Sequence, residues 1–82
     1  MSAVVIRRVE WLGDNELRVF FATGLVLETK LPWCKSARRA RPVDFGMGLK
    51  FGPAAGDEVA ARAVAQLPGK VLMGRRPAPA RT

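Results

Sequence analysis

The chain has 82 residues, 49% of them apolar and 26% charged, which suits one globular domain around one modest core. It has no histidine and a single cysteine, Cys34, so an intrachain disulfide and a Cys/His zinc site are both excluded. Fourteen Lys and Arg against seven Asp and Glu give a net charge of +7, a field that draws in polyanions before any specific contact forms.

Val4 to Trp11 is rich in β-branched and aromatic residues and runs into Gly13-Asp14-Asn15, so it reads as a strand followed by a turn. Glu16 to Phe21 sets Leu17, Val19 and Phe21 on one face and Arg18 and Phe20 on the other, the period of two of a half-buried strand. After Ala22-Thr23-Gly24, in which the glycine is free to take positive φ, Leu25, Leu27, Thr29 and Leu31 alternate with Val26, Glu28 and Lys30. These three segments predict an antiparallel meander.

Pro32 stops the third strand and suits the first turn of a helix, and no β-branched residue occurs before Pro42. Residues 32–41 therefore read either as a short helix or as an irregular basic loop. In the helix, Trp33, Ala37 and Ala40 form an apolar stripe and Lys35, Arg38 and Arg39 share another face, but the clustered positive charges oppose it. From Val43 to Phe51 apolar residues occupy every odd position, with Asp44, Gly46, Gly48 and Lys50 between them, which predicts one strand with one greasy face. The glycines on its other face allow a bulge or a close backbone approach.

Gly52 to Gly56 reads as a loop. Asp57-Glu58 then opens a predicted helix reaching about Leu67, with the acids at its positive end and Val59, Ala60, Ala63, Val64 and Leu67 as its buried stripe. Pro68-Gly69 ends it. Lys70 to Gly74 predicts a short strand that pairs within the chain or covers a sheet edge of a neighbouring copy. Arg75 to Thr82, with alternating prolines and no apolar periodicity, reads as a flexible basic tail. The expected architecture is thus α+β: residues 1–74 form a single domain, an antiparallel β-meander sheet of about four strands with one or two packed helices, and 75–82 form the tail.

Several of these features occur together in the bacterial domain-of-unknown-function family 2442, which the chain resembles over about residues 4–67. The shared features are the opening strand Ile6 to Trp11, the Leu17-Arg18-Val19-Phe20-Phe21 strand, the Gly24 turn and the strand ending at Leu31-Pro32. They continue with Trp33, the Arg38 to Arg41 connection, Gly46-Met47-Gly48-Leu49-Lys50-Phe51 and the acidic pair Asp57-Glu58. The resemblance implies a small α+β fold with a meander sheet and a packed helix, and it implies no activity. Lys50 and the Gly52 to Gly56 loop depart from the family pattern.

Catalytic chemistry has little to work with here. General acid–base groups are limited to seven carboxylates, of which Glu10, Asp14, Glu16 and Glu28 fall on or between surface strands. Asp57 and Glu58, adjacent on a helix, diverge by about 100° and cap it more readily than they share a metal. Cys34 has no neighbouring base, so a structural thiol is expected. Gly46-Met47-Gly48 lies inside a strand and leads to no helix, so it is no phosphate loop. The expectation is a non-enzymatic binding module, regulatory or structural, with no cofactor and no metal.

The residues expected to bind are Lys35, Arg38, Arg39, Arg41, Arg75 and Arg76. They point to a sequence-tolerant nucleic-acid contact or, alternatively, to an acidic protein partner, as an interaction subunit or antitoxin-like protein would have. Abundant Arg, Ala, Gly and Pro also mark a genome rich in G and C, so the charge alone names no partner. A homo-oligomer through a sheet edge is a further option. No apolar run approaches the roughly 20 residues of a membrane span and no leader pattern opens the chain, so a cytoplasmic location without a membrane partner is expected.

Overall fold

A computed structural model of the chain describes residues 4–31, 37–54 and 56–77. β1 (Ile6–Gly13), β2 (Glu16–Phe21) and β3 (Val26–Lys30) form the predicted antiparallel meander. The register Val9 to Val19 to Leu27 stacks β-branched and leucine side chains across the three strands on one face. Leu17, Val19, Phe21, Leu25, Leu27 and Leu31 are all buried, so the period of two identified the inner face correctly. Gly24 takes φ 96° in the second turn, where its amide donates to the Phe21 carbonyl at 3.0 Å.

β7 (Gly69–Met73) returns to lie antiparallel beside β3, completing a four-stranded sheet in the order β1-β2-β3-β7. The terminal strand therefore pairs within its own chain. Thr29, the one buried polar side chain among the described residues, donates its hydroxyl to the Pro68 carbonyl at 2.7 Å, which satisfies it at the entry to β7.

The middle of the chain departs from the sequence reading. Residues 43–51 are two short strands, β4 (Arg41–Val43) and β5 (Gly48–Lys50), joined by a tight reversal. Asp44, Phe45 and Gly46 take φ of 53°, 57° and 86° in succession, and the Met47 amide donates to the Asp44 carbonyl at 3.0 Å. The reversal is held from outside the hairpin. Gly46 lies so close to β1 that a Cβ there would overlap the Ile6 carbonyl oxygen and Val5 Cγ1. The apolar alternation continues through this turn without meaning: Phe45 is 100% exposed and Met47 56%, while Leu49 and Phe51 are buried.

The helix expected from Asp57 to about Leu67 is also corrected. Glu58–Ala60 is β6, pairing antiparallel with β5 in a second sheet of order β4-β5-β6, and the helix α1 keeps only Ala61–Ala65. Strand pairing takes these residues because the free edge of β5 offers hydrogen bonds that a first helical turn lacks. Flanking main-chain bonds, Phe51 amide to Asp57 carbonyl at 2.9 Å and Ala61 amide to Met47 carbonyl at 2.8 Å, lock the register. Asp57 does not cap a helix; its carboxylate accepts from the Ala54 amide at 3.1 Å and closes a turn.

The core lies between the four-stranded sheet and the unit made by the second sheet and α1. Leu49, Phe51, Ala61, Val64 and Ala65 meet the inner face of the meander, and β1 packs along β4 to join the two sheets. Each fully buried leucine or valine here stabilises the fold by about 1.5–3 kcal/mol. Antiparallel sheet thus dominates, and one short helix supplies the α part.

Candidate nucleic-acid interface

Of the residues singled out from sequence, Lys35 lies outside the described residues, as do Trp33 and Cys34. Arg38 and Arg39 sit on a 3-10 turn, Ala37–Arg39, which is pinned to the core by buried Ala37. This turn, followed directly by β4, is the described part of the segment expected as a short helix or a basic loop. Pro42 is accommodated because β4 is the outer strand of its sheet, where a missing N–H costs nothing.

Arg41 opens β4 directly opposite Lys50 on β5. The 3-10 turn and β4 both pack beside β1, which carries Trp11. The Arg38 guanidinium carbon stands 5.7 Å from the centroid of the Trp11 ring, within cation–π range. Trp11 is half exposed, and its indole N–H donates to the Asp14 carbonyl at 3.0 Å, which fixes the ring plane. Among the described residues, Arg38, Arg39 and Arg41 make no ion pair. Their charges are available to an external anion.

The two C-terminal arginines part company. Arg75 is exposed just beyond β7. Arg76 is turned inward: its guanidinium donates to the Ala65 carbonyl at 3.1 Å, to the Leu67 carbonyl and to the Gly69 carbonyl at 3.3 Å. These are the carbonyls left open by the end of α1 and the entry to β7, so Arg76 acts as a C-terminal cap delivered from a distance. Gln66 Nε2 donates to the Pro77 carbonyl at 2.7 Å. The domain therefore reaches Pro77, and residues 78–82 of the expected tail lie outside the described residues.

Two charge clusters went unread in the sequence because they form only across strands. On the outer face of the meander, Glu10, Arg18 and Glu28 are direct neighbours on β1, β2 and β3. Arg18 bonds Glu28 at 2.7 and 3.0 Å and Glu10 at 3.2 Å, and the Glu28 hydrogen bond, foremost, holds its pKa above the ordinary value. At the hairpin, Glu58 faces Asp44. A hydrogen bond to Asp44, desolvation and the Asp44 charge raise the Glu58 pKa, against the pull of Lys50.

Among the described residues, no group of three His, Cys, Asp or Glu side chains is placed to hold a metal, and no helix is long and apolar enough to cross a membrane. The comparisons add no identity to this geometry: no protein-family model, no curated protein and no solved structure matches the chain.

Proposed function

We propose that the chain is a small non-enzymatic binding module, regulatory or structural, whose basic surface contacts nucleic acid. The observation that carries this reading is the set of exposed arginines Arg38, Arg39 and Arg41, which make no ion pair among the described residues, with Arg38 over the half-exposed Trp11. Such groups replace condensed counterions on a phosphate backbone, and the replacement carries no sequence information. Arg75, exposed just beyond β7 at the other edge of the sheet, adds to the net positive charge, whereas Arg76 serves the fold. The resemblance to domain-of-unknown-function family 2442 belongs to this proposal and brings no activity with it.

A mobility-shift titration against a salt series tests the proposal. Binding weakens by a log–log slope of about −0.9 for each duplex phosphate neutralised, so changing Arg38, Arg39 and Arg41 together to Ala makes the slope shallower by about 2.7. No shift at low salt sinks the nucleic-acid reading.

A second reading, docking to an acidic protein partner, has its own supporting observation. Phe45 stands 100% exposed at the tip of the β4–β5 hairpin with Met47 beside it, an apolar knob suited to a socket on another chain. The β7 edge, exposed along its whole length, is where a sheet-extending partner or a second copy would add.

A further inference from the structure

We propose that the outer face of the four-stranded sheet holds a subsite for one unpaired nucleotide, with the base stacked on the Arg8–Phe20 pair and its phosphate at Arg7. The inference rests on the nucleic-acid reading and adds a second contact surface to it, selective for single strands. It begins with a fault in the β1 register. Ile6 pairs with Phe21 and Arg8 with Phe20, so Arg7 is an extra residue, a β-bulge. In a regular strand adjacent residues point to opposite faces. Here the bulge re-aims the chain, and Arg7 and Arg8 line the same cleft of about 450 Å³.

The floor of that cleft is a row across the other three strands, since Phe20 pairs with Val26 and Val26 with Met73. Gly24, in the adjoining turn, also lines the cleft. The Arg8 guanidinium carbon lies 4.2 Å from the centroid of the Phe20 ring, and Glu10 Oε2 holds the group at 3.5 Å. With its side chain 63% exposed, Arg8 presents an ordered planar cation to solvent, a platform for a nucleobase.

Charge orients the occupant. The next row along the sheet, Glu10, Arg18, Glu28 and Lys70, sets two acids against two bases, with Arg18 paired to both carboxylates, so it leaves little net charge on that side to hold an anion. Arg7 lies on the other side, about 10 Å along β1 from Glu10 at ~3.3 Å per residue, and among the described residues has no acidic partner. An anion is therefore drawn to the Arg7 end. A flat apolar group with a phosphate on one side matches this arrangement, and a cleft of this size takes one nucleotide. Bases inside a duplex hide their faces, so the occupant comes from a single strand.

Fluorescence anisotropy with a labelled oligothymidylate and with a hairpin duplex of equal length tests the assignment on the full chain. Phe20→Leu, which keeps the floor apolar, and Arg8→Gln are expected to weaken single-strand binding about tenfold and to leave duplex binding within about twofold. Arg7→Gln is expected to flatten the single-strand salt slope by about 0.7. Thermal melts of the three variants confirm that each folds, and Arg8→Gln, on the surface, stands in for Phe20→Leu if the latter does not. Intact binding to both probes in all three variants overturns the subsite and leaves the basic-surface reading standing. Equal losses on both probes overturn its strand selectivity. Displacement of the oligonucleotide by micromolar thymidine monophosphate reassigns the cleft to a free nucleotide, which also overturns the proposal. A wild-type protein that binds neither probe overturns the nucleic-acid reading itself.

Discussion

Phe45 is held by its neighbours in a backbone region that favours asparagine and glycine, with φ 57° and ψ 31°, and its ring touches solvent on every side. It therefore contributes no packing to offset the strain. Phe45→Asn is expected to raise stability by about 1 kcal/mol in a urea titration. If the residue serves docking, the same variant also loses its protein partner while becoming more stable. Glu58 allows a second residue-scale test. Its pKa is raised in the folded state above the ordinary 4.5, so the folded protein holds this proton more tightly than the unfolded chain does. The stabilisation is complete below the unfolded-state pKa and is lost as pH rises through the folded value. Glu58→Gln removes that loss, so its melting temperature is expected to gain on wild type as pH climbs from about 4.5 toward neutrality. A constant difference between the two proteins across this range would refute the Asp44 pairing.

At the scale of elements, the meander was legible and the middle of the chain was not. Leu17, Val19, Phe21, Leu25, Leu27 and Leu31 announce their face because a two-residue period in a half-buried strand has few other causes. Val43 to Phe51 shows the same period for a different reason. Its chain reverses at Asp44-Phe45-Gly46, and what forces the reversal is the approach of Gly46 to Val5 and Ile6, residues far away in sequence. The predicted helix failed in a related way. Of the expected stripe only Val64 is fully buried, and Ala60 and Ala63 are exposed, because the edge of β5 claims Glu58–Ala60 and the five residues left to α1 bury Ala61, Val64 and Ala65 instead. So short a helix depends on its caps. Arg76→Ala, which removes donors to three carbonyls around its C-terminus, is expected to cost about 1–3 kcal/mol while leaving the salt slope of nucleic-acid binding unchanged.

Across the whole molecule, two small sheets share one core, and neither buries its apolar face alone. Val64 on α1 is fully buried among residues of both halves. Val64→Asp places an unpaired charge there and is expected to unfold the entire chain, read as loss of the far-ultraviolet β signal in one transition. A variant that kept the meander and lost only the second sheet would show two separable units. The positive charge, in contrast, has no role in this core. Arg38, Arg39 and Arg41 are carried on the connection between the two sheets, and Arg7 and Arg8 on the far side of the meander. The molecule therefore carries exposed arginines in two separate places on one scaffold, and the binding proposed from sequence concerns only the first.

The sequence by itself determined the single core, the net charge of +7, the meander and the inner face of its strands, because these follow from composition and from contacts between chain neighbours. Tertiary structure decided the second sheet, the exposed hairpin tip, the inward turn of Arg76 and the bulge that brings Arg7 beside Arg8. Each of these depends on what a distant segment offers: the edge of β5, the backbone of Ile6, the open end of α1, the register of β2. Local periodicity carries no record of such partners, and for that reason the same alternating pattern became a buried strand at Leu17 and a solvent-exposed turn at Phe45.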